Sequence, residues 1–353
     1  MLFILSDELL ATESTVKERI NRAIKHIATA VFESKHLLFG SIDVLKHFKK
    51  VFRLDADLYN LFNALENNYY TTPIDFITRR IEIVINVITL KRVEENIEIF
   101  QASIDEFQES STCQRTILLG EDLNDCFFYE HVLKWFVENQ TFNVNCVFEK
   151  DNGGGVNTAK SIKNHLYNKK ILLSIIDTDR KYPNSKTGET YDKCAKYINK
   201  EKGKFKLLVL NVQEIENLMP FNFLEGKAYF GEHAYKKDKF DLLRQTNPSL
   251  LKFFDIKKGI KKGITEEDPQ YKEFARRCCA CDPNITDFDT YYDSINNDEY
   301  VYPPFSRILN IIENDLKERI NDIDLLDFQE SEWHRIGKNL VNFTCARNNE
   351  ALN

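Results

Sequence analysis

Two carboxylates stand two positions apart at the end of one apolar run, "ILLSIIDTD" (171–179). A strand that takes six apolar or small residues and then stops on Asp177 and Asp179 needs something to offset those charges. Other acids share the same placement. "TILLGED" runs into Glu121, with Asp125 four residues on, and "FKLLVLNVQEIENL" runs into Glu214 and Glu216. In an open α/β sheet, ligands bind beyond the carboxyl ends of the strands, so three strand ends would deliver acids to one rim. Unpaired carboxylates crowded there would be driven toward protonation. A hard divalent cation removes that conflict, and an oxygen-only ligand set selects Mg²⁺ or Mn²⁺ over zinc. Two such ions would stabilise both the attacking and the leaving oxygen of a phosphodiester displacement.

The elements that must hold these acids are strands alternating with helices. "TILLGED", "FNVNCVFEK", "KKILLSIIDTD" and "FKLLVLNV" read as strands. Between them lie an amphipathic helix ("DCFFYEHVLKWFVEN"), a glycine turn entering a helix ("GGGVNTAKSIKNHL") and a further helix ("ETYDKCAKYINKEK"). Alternation of this kind gives right-handed crossovers and a parallel sheet. Strands that are apolar throughout predict that both sheet faces are covered. The expected division is a helical domain over 1–112, an α/β domain over 113–222 and a mostly helical region over 223–353. In the first, "STVKERINRAIKHIATAVF" places Val16, Ile20, Ala23, Ile24, Ile27 and Val31 at helical spacing behind Ser14 or Thr15, and "DADLYNLFNALENN" repeats the pattern. Pro73 is placed to start a third helix through "RRIEIVINVITLKRVEENIEIF", although β-branched residues between Ile81 and Ile88 leave a strand open there. "PPFSRILNIIENDLKERI" is the clearest helix of the last region, with Phe305, Ile308, Leu309, Ile312 and Leu316 as its stripe.

A glutamate after the first strand, Asp-x-Asp at a later strand end and then an acidic motif resembles a TOPRIM domain. Within that superfamily, "LLGEDLNDCFFYEHVL" and "VQEIENLMP" are most similar to the overcoming-lysogenization-defect nucleases and related defence proteins, the nuclease subunits of PARIS anti-phage systems among them. The resemblance covers about 115–260. It implies a metal-dependent nuclease acting on DNA or RNA, with Mg²⁺ or Mn²⁺ in a two-metal site. It would make Glu121 the acid/base or first metal ligand and Asp125 its supporting metal ligand. Asp177 and Asp179 would bind metal, and Glu216 would complete the second site, with Glu214 the weaker candidate. "KFFDIKKGIKKG" resembles the segment supplying a catalytic lysine, which would be Lys257, or alternatively Lys258. The usual glycine after the first glutamate is Asp122 here, a departure that bears on the turn holding Glu121. The ATPase half that many such nucleases carry is lacking, so the resemblance implies a separate ATPase or other defence partner; a homo-oligomer is compatible.

Other readings compete. "GGVNTAKS" differs from a phosphate-binding loop at Ala159, where the second glycine belongs; a tight turn is the simpler use of its glycines, leaving Lys160 available to a phosphate. Asp-x-Asp also suits a haloacid-dehalogenase-like phosphatase, but that motif belongs on a domain's first strand with a small residue after it, and here Arg180 and Lys181 follow. Arg19 and His26 have the spacing of a HEPN ribonuclease motif, more plausibly as part of a HEPN-like helical fold without catalysis. A non-catalytic nucleic-acid or partner-binding module is the remaining alternative. His131, His165 and His233 lack ligand spacing. Cys278, Cys279 and Cys281 have no second pair at short spacing, so buried thiols are expected rather than zinc. The other cysteines are scattered, as suits a reducing cytosol. Nothing in the net charge of −7 suggests a dedicated nucleic-acid coat, while dense lysines in "NKEKGKFK", "YKKDKF" and "KKGIKKG" permit local phosphate contacts. "MLFILSDELL" has too short an apolar run for a signal peptide, and no window suggests a membrane span.

Overall fold

The computed structural model describes residues 1–10, 14–70, 74–140, 144–200, 202–220, 234–305 and 323–347. Residues 1–112 carry a sheet, which corrects the helical domain expected there. Its strands are β1 (Leu2–Leu5), β2 (Leu37–Gly40), β3 (Arg79–Val84), β4 (Lys91–Glu94) and β5 (Ile97–Ser103), in the order β2-β1-β3-β5-β4. All neighbours are parallel except β4 against β5. The stretch read as a third helix is therefore β3, β4 and β5; Pro73 lies outside the described residues. The reason is visible in β3. Arg79, Ile81 and Ile83 are buried while Arg80 and Glu82 are partly exposed, a period of two. Glu82 is held across the strands by Arg92 (2.6 Å) and Gln101 (3.0 Å). Helices α1 (Ser14–Phe32), α2 (Ile42–Val51) and α3 (Ala56–Asn67) accompany this sheet, and the expected stripes of α1 and α3 are largely buried. A HEPN-like helical fold is thereby overturned. Arg19 bonds Asp105 (3.2 Å), and His26 Nδ1 lies 3.0 Å from the Phe107 carbonyl.

The second sheet follows the expected alternation. The chain here runs through β6 (Thr116–Gly120), α4 (Leu123–Gln140), β7 (Asn145–Cys146), which lies outside this sheet, β8 (Phe148–Asn152), α5 (Thr158–Tyr167), β9 (Leu172–Ile176), α6 (Glu189–Cys194) and β10 (Phe205–Val209). The sheet's four strands are parallel, in the order β10-β9-β6-β8. β6 and β9 are buried at every position, as expected of central strands covered on both faces.

The rest is mainly helical: α7 (Ala234–Thr246), β11 (Ile260–Lys261), α8 (Lys262–Glu266), α9 (Pro269–Cys279), α10 (Phe288–Ser294), β12 (Tyr300–Tyr302), α11 (Asp327–Thr344) and β13 (Cys345–Ala346). Phe305 is buried; Ile308, Leu309, Ile312 and Leu316 lie outside the described residues. Cys278, Cys279 and Cys281 are buried free thiols.

Helix α11 ties the parts together. Trp333 meets Phe128 (5.6 Å) and Trp135 (5.3 Å) of α4 edge-on. A Cβ on Gly337 would lie 2.4 Å from Phe136 Cγ, so glycine is what lets the two helices cross this closely. Asn342 accepts the amides of Thr78 (2.9 Å) and Arg79 (3.2 Å). Arg79 itself is 2% exposed. Its guanidinium donates to the carbonyls of Lys202 (2.6 Å), Gly203 (3.3 Å) and Phe205 (3.2 Å), and to Glu98 (3.2 Å). One buried cation thus joins the first sheet to β10. Strand β10 bonds β9 through Lys204 and Leu210, so the Phe205 and Val209 carbonyls face outward from the edge. Arg79 takes the first and Arg335 the second, at 2.6 Å.

Candidate functional site

Glu121 leaves the end of β6, and its carboxylate accepts the Asp177 amide at 3.0 Å, bridging the ends of β6 and β9. The glycine turn supports it from beneath. Gly154 and Gly155 donate to the Glu121 carbonyl (3.0 and 3.1 Å), and Gly153 to that of Gly120 (2.9 Å). Gly154 and Gly155 have positive φ (73° and 57°), and a Cβ on Gly153 would stand 2.2 Å from Thr158 Oγ1. These glycines make a tight strand-to-helix turn that holds Glu121. Lys160 is exposed on the first turn of α5, donates to Asn157 (3.0 Å) and does not line the cleft described below. Asp122, at the glycine position of the resembled family, is not among the residues with positive φ, so this turn has no need of glycine there. Its amide donates to Asp125 (2.8 Å), which makes Asp125 a brace for the first turn of α4.

At the end of β9, the amides of Thr178 and Asp179 donate to the Gln213 carbonyl (3.2 and 2.9 Å), which aligns this end with the segment after β10. Asp179 has φ 54°, a left-handed conformation that aspartate tolerates better than most residues. Its side chain lies against Gly188, where a Cβ would stand 1.9 Å from Oδ2. Beyond β10, Glu214 and Glu216 are both buried, and Lys257 reaches them at 3.2 and 2.7 Å. Lys258 points elsewhere: its amide caps Asp255 (2.6 Å) and its ammonium is largely exposed. The turn carrying Glu216 is held by α11, since Gln329 donates to the carbonyls of Asn217 (2.9 Å) and Met219 (2.8 Å), and Trp333 to that of Leu218 (2.9 Å).

The electrostatics show how closely these acids gather. Burial, then Glu121, Asp125, Glu216 and Glu214, push Asp177 well above the usual carboxylate range. Burial also raises Glu121, against the Asp177 amide that favours its charged form. Asp125 is pushed by burial up to about 6, and Glu216, where burial outweighs the attraction of Lys257, to about 7. Asp179 is raised by burial and then by Glu214, and so is Asp255, an acid the sequence reading passed over. For Lys257, the two glutamates outweigh burial and raise the ammonium.

The three strand ends therefore share one rim, and Glu121, Asp125, Asp177, Asp179, Glu214, Glu216 and Lys257 are brought together there. Glu216 Oε2 is buried without a hydrogen-bond partner. As the side chains stand, no three His, Cys, Asp or Glu among the described residues form a group able to hold a metal ion. The donor set is nonetheless all oxygen, and an orphaned carboxylate oxygen on Glu216 suits a hard cation. An adjoining cleft of about 650 Å³ is lined by Asp179, Glu214 and Asp255 together with Lys181, Lys186 and Lys258. His165 bonds Asp151 (2.8 Å) and stands outside this set; His131 is buried in α4, and His233 lies outside the described residues. Asp255 had a signal, standing two residues before Lys257; Gly188 and Gln213 had none, because their roles are contacts through space. No helix among the described residues is long and apolar enough to cross a membrane. No family model matches the chain, no curated protein matches it in sequence, and no solved structure matches it.

Proposed function

We propose that the chain is a Mg²⁺- or Mn²⁺-dependent nuclease of the TOPRIM type, hydrolysing phosphodiester bonds in DNA or RNA as the toxic effector of an anti-phage system with a separate ATPase partner. The observation that carries this reading is the gathering of acids from three strand ends around Asp177, with a buried Glu216 oxygen left unpartnered. Glu121, Asp177, Asp179 and Glu216 would hold the metal, with Asp125 a supporting ligand that also holds the Asp122 amide next to Glu121, and with Glu214 and Asp255 beside them. When bound, such ions polarise a phosphoryl oxygen and acidify water. Glu121, whose proton affinity burial raises, is suited to accept a proton from the attacking water. Lys257 keeps its positive charge and would offset charge developing on the phosphate or its leaving group. Lys181, Lys186 and Lys258 line the cleft where backbone phosphates would pass.

Calorimetric titration with Mn²⁺, together with digestion of plasmid, single-stranded DNA and total tRNA, tests this. Glu121→Gln and Asp177→Asn are expected to abolish cleavage and weaken Mn²⁺ binding while the circular-dichroism spectrum stays native. Cleavage by both variants at the wild-type rate overturns the assignment, and phosphate release from an aryl phosphate without cleavage of any nucleic acid would indicate a phosphatase.

A further inference from the structure

Cys146 and Cys345 face each other directly where β7 pairs with β13. The Val147 amide donates to the Thr344 carbonyl (2.9 Å). That makes 147/344 a hydrogen-bonded pair and its neighbour 146/345 a non-hydrogen-bonded one. At such a position the Cα atoms are about 4.5 Å apart with both side chains on one face, within the ~4.4–6.8 Å that a disulfide spans. Both thiols are free; Cys146 is partly exposed and Cys345 buried. The remaining six cysteines lie in helices or turns, and none faces another across paired strands.

We propose that Cys146 and Cys345 are a redox modification site, closing into a reversible intramolecular disulfide by exchange with a low-molecular-weight disulfide. Cys146, the more accessible thiol, attacks through its minor thiolate form, since burial pushes the thiol up to about 12, and forms a mixed disulfide, releasing one small thiol. The Cys345 sulfur then displaces the second small thiol and forms the Sγ–Sγ bond. Two protein thiols are oxidised, one small disulfide is reduced to two thiols, and the two protein protons end on those thiols. Each side of the bond leads to the acidic rim. Cys146 precedes β8 and the glycine turn under Glu121, while Cys345 directly follows α11, which holds the Glu216 turn. Oxidation would couple the supports of both acids.

The full chain, equilibrated with graded ratios of glutathione to glutathione disulfide, alkylated and mapped by non-reducing peptide mass spectrometry, provides the test. The expected result is a Cys146–Cys345 crosslink with the other six cysteines alkylated, and a melting temperature raised by roughly 5–10 °C. Cys146→Ser, altered at the partly exposed position, should fold and lose both the crosslink and the shift, and dithiothreitol should reverse them in the wild type. A first-formed disulfide between other cysteines, both thiols still alkylated in excess oxidant, or a Cys146→Ser variant whose melting temperature shifts like the wild type would each overturn the proposal.

Discussion

Asp177 feels four other carboxylates from the neighbouring strand ends, and burial, the larger effect, compounds their repulsion. Removing that one charge should therefore stabilise the metal-free fold even as it removes function. Asp177→Asn is expected to raise the urea midpoint in EDTA, since it relieves a buried carboxyl crowded by other acids; a loss of stability would show that the carboxyl is compensated in a way these contacts do not explain. The pH dependence follows with a definite sign. Asp125 and Glu216 rise from 3.8 and 4.5 to about 6 and about 7, so the folded chain keeps protons that the unfolded chain releases near pH 4. Stability from these groups is full below that point and is lost as pH climbs through about 7. Melting temperature in EDTA should fall between about pH 4 and about pH 7, and Mn²⁺ should restore more of it at the upper end; a flat profile counts against the site. At this scale the sequence was informative wherever an acid ended an apolar strand, which is why Glu121, Asp177, Asp179 and Glu216 could be named in advance. It was silent on Gly188, whose missing side chain matters only because Asp179 folds back onto it.

The elements differ in how openly they declare themselves. β6 and β9 are buried from end to end, and such short, largely apolar runs bounded by turn residues suit a covered strand. β3 and β5 are harder, because Arg79, Arg80, Glu82 and Glu98 interrupt the apolar residues and mimic one face of a helix. Their partners, Arg92, Gln101 and the backbone of residues 202–205, come from other segments, so the alternation has meaning only after folding. Helix α11 was equally unreadable as a support: its contacts with the Glu216 turn span more than a hundred residues. Its close crossing with α4 yields a direct test. Gly337→Ala would drive a methyl group into Phe136 and should cost about 1–3 kcal/mol in urea denaturation. An unchanged midpoint would mean that the two helices have room to part.

Across the whole molecule, the two sheets are joined by a side chain that no hydrophobic pattern would place inside. Arg79 satisfies three backbone carbonyls and Glu98 between the rings of Phe100 and Phe343. Arg79→Met keeps much of the volume but strands those acceptors, and should cost about 3–5 kcal/mol. Parallel loss of structure in both sheets, followed by hydrogen exchange, is the expected signature, whereas a silent substitution would mean that the sheets hold together without this cation. The same arginine and Arg335 have an effect at the molecule's border. A strand arriving from another polypeptide would find guanidinium groups already seated on the outward carbonyls of Phe205 and Val209 that its own amides require. The four-stranded array ends there by occupation rather than by closure into a barrel, which denies templated self-association its foothold on that border.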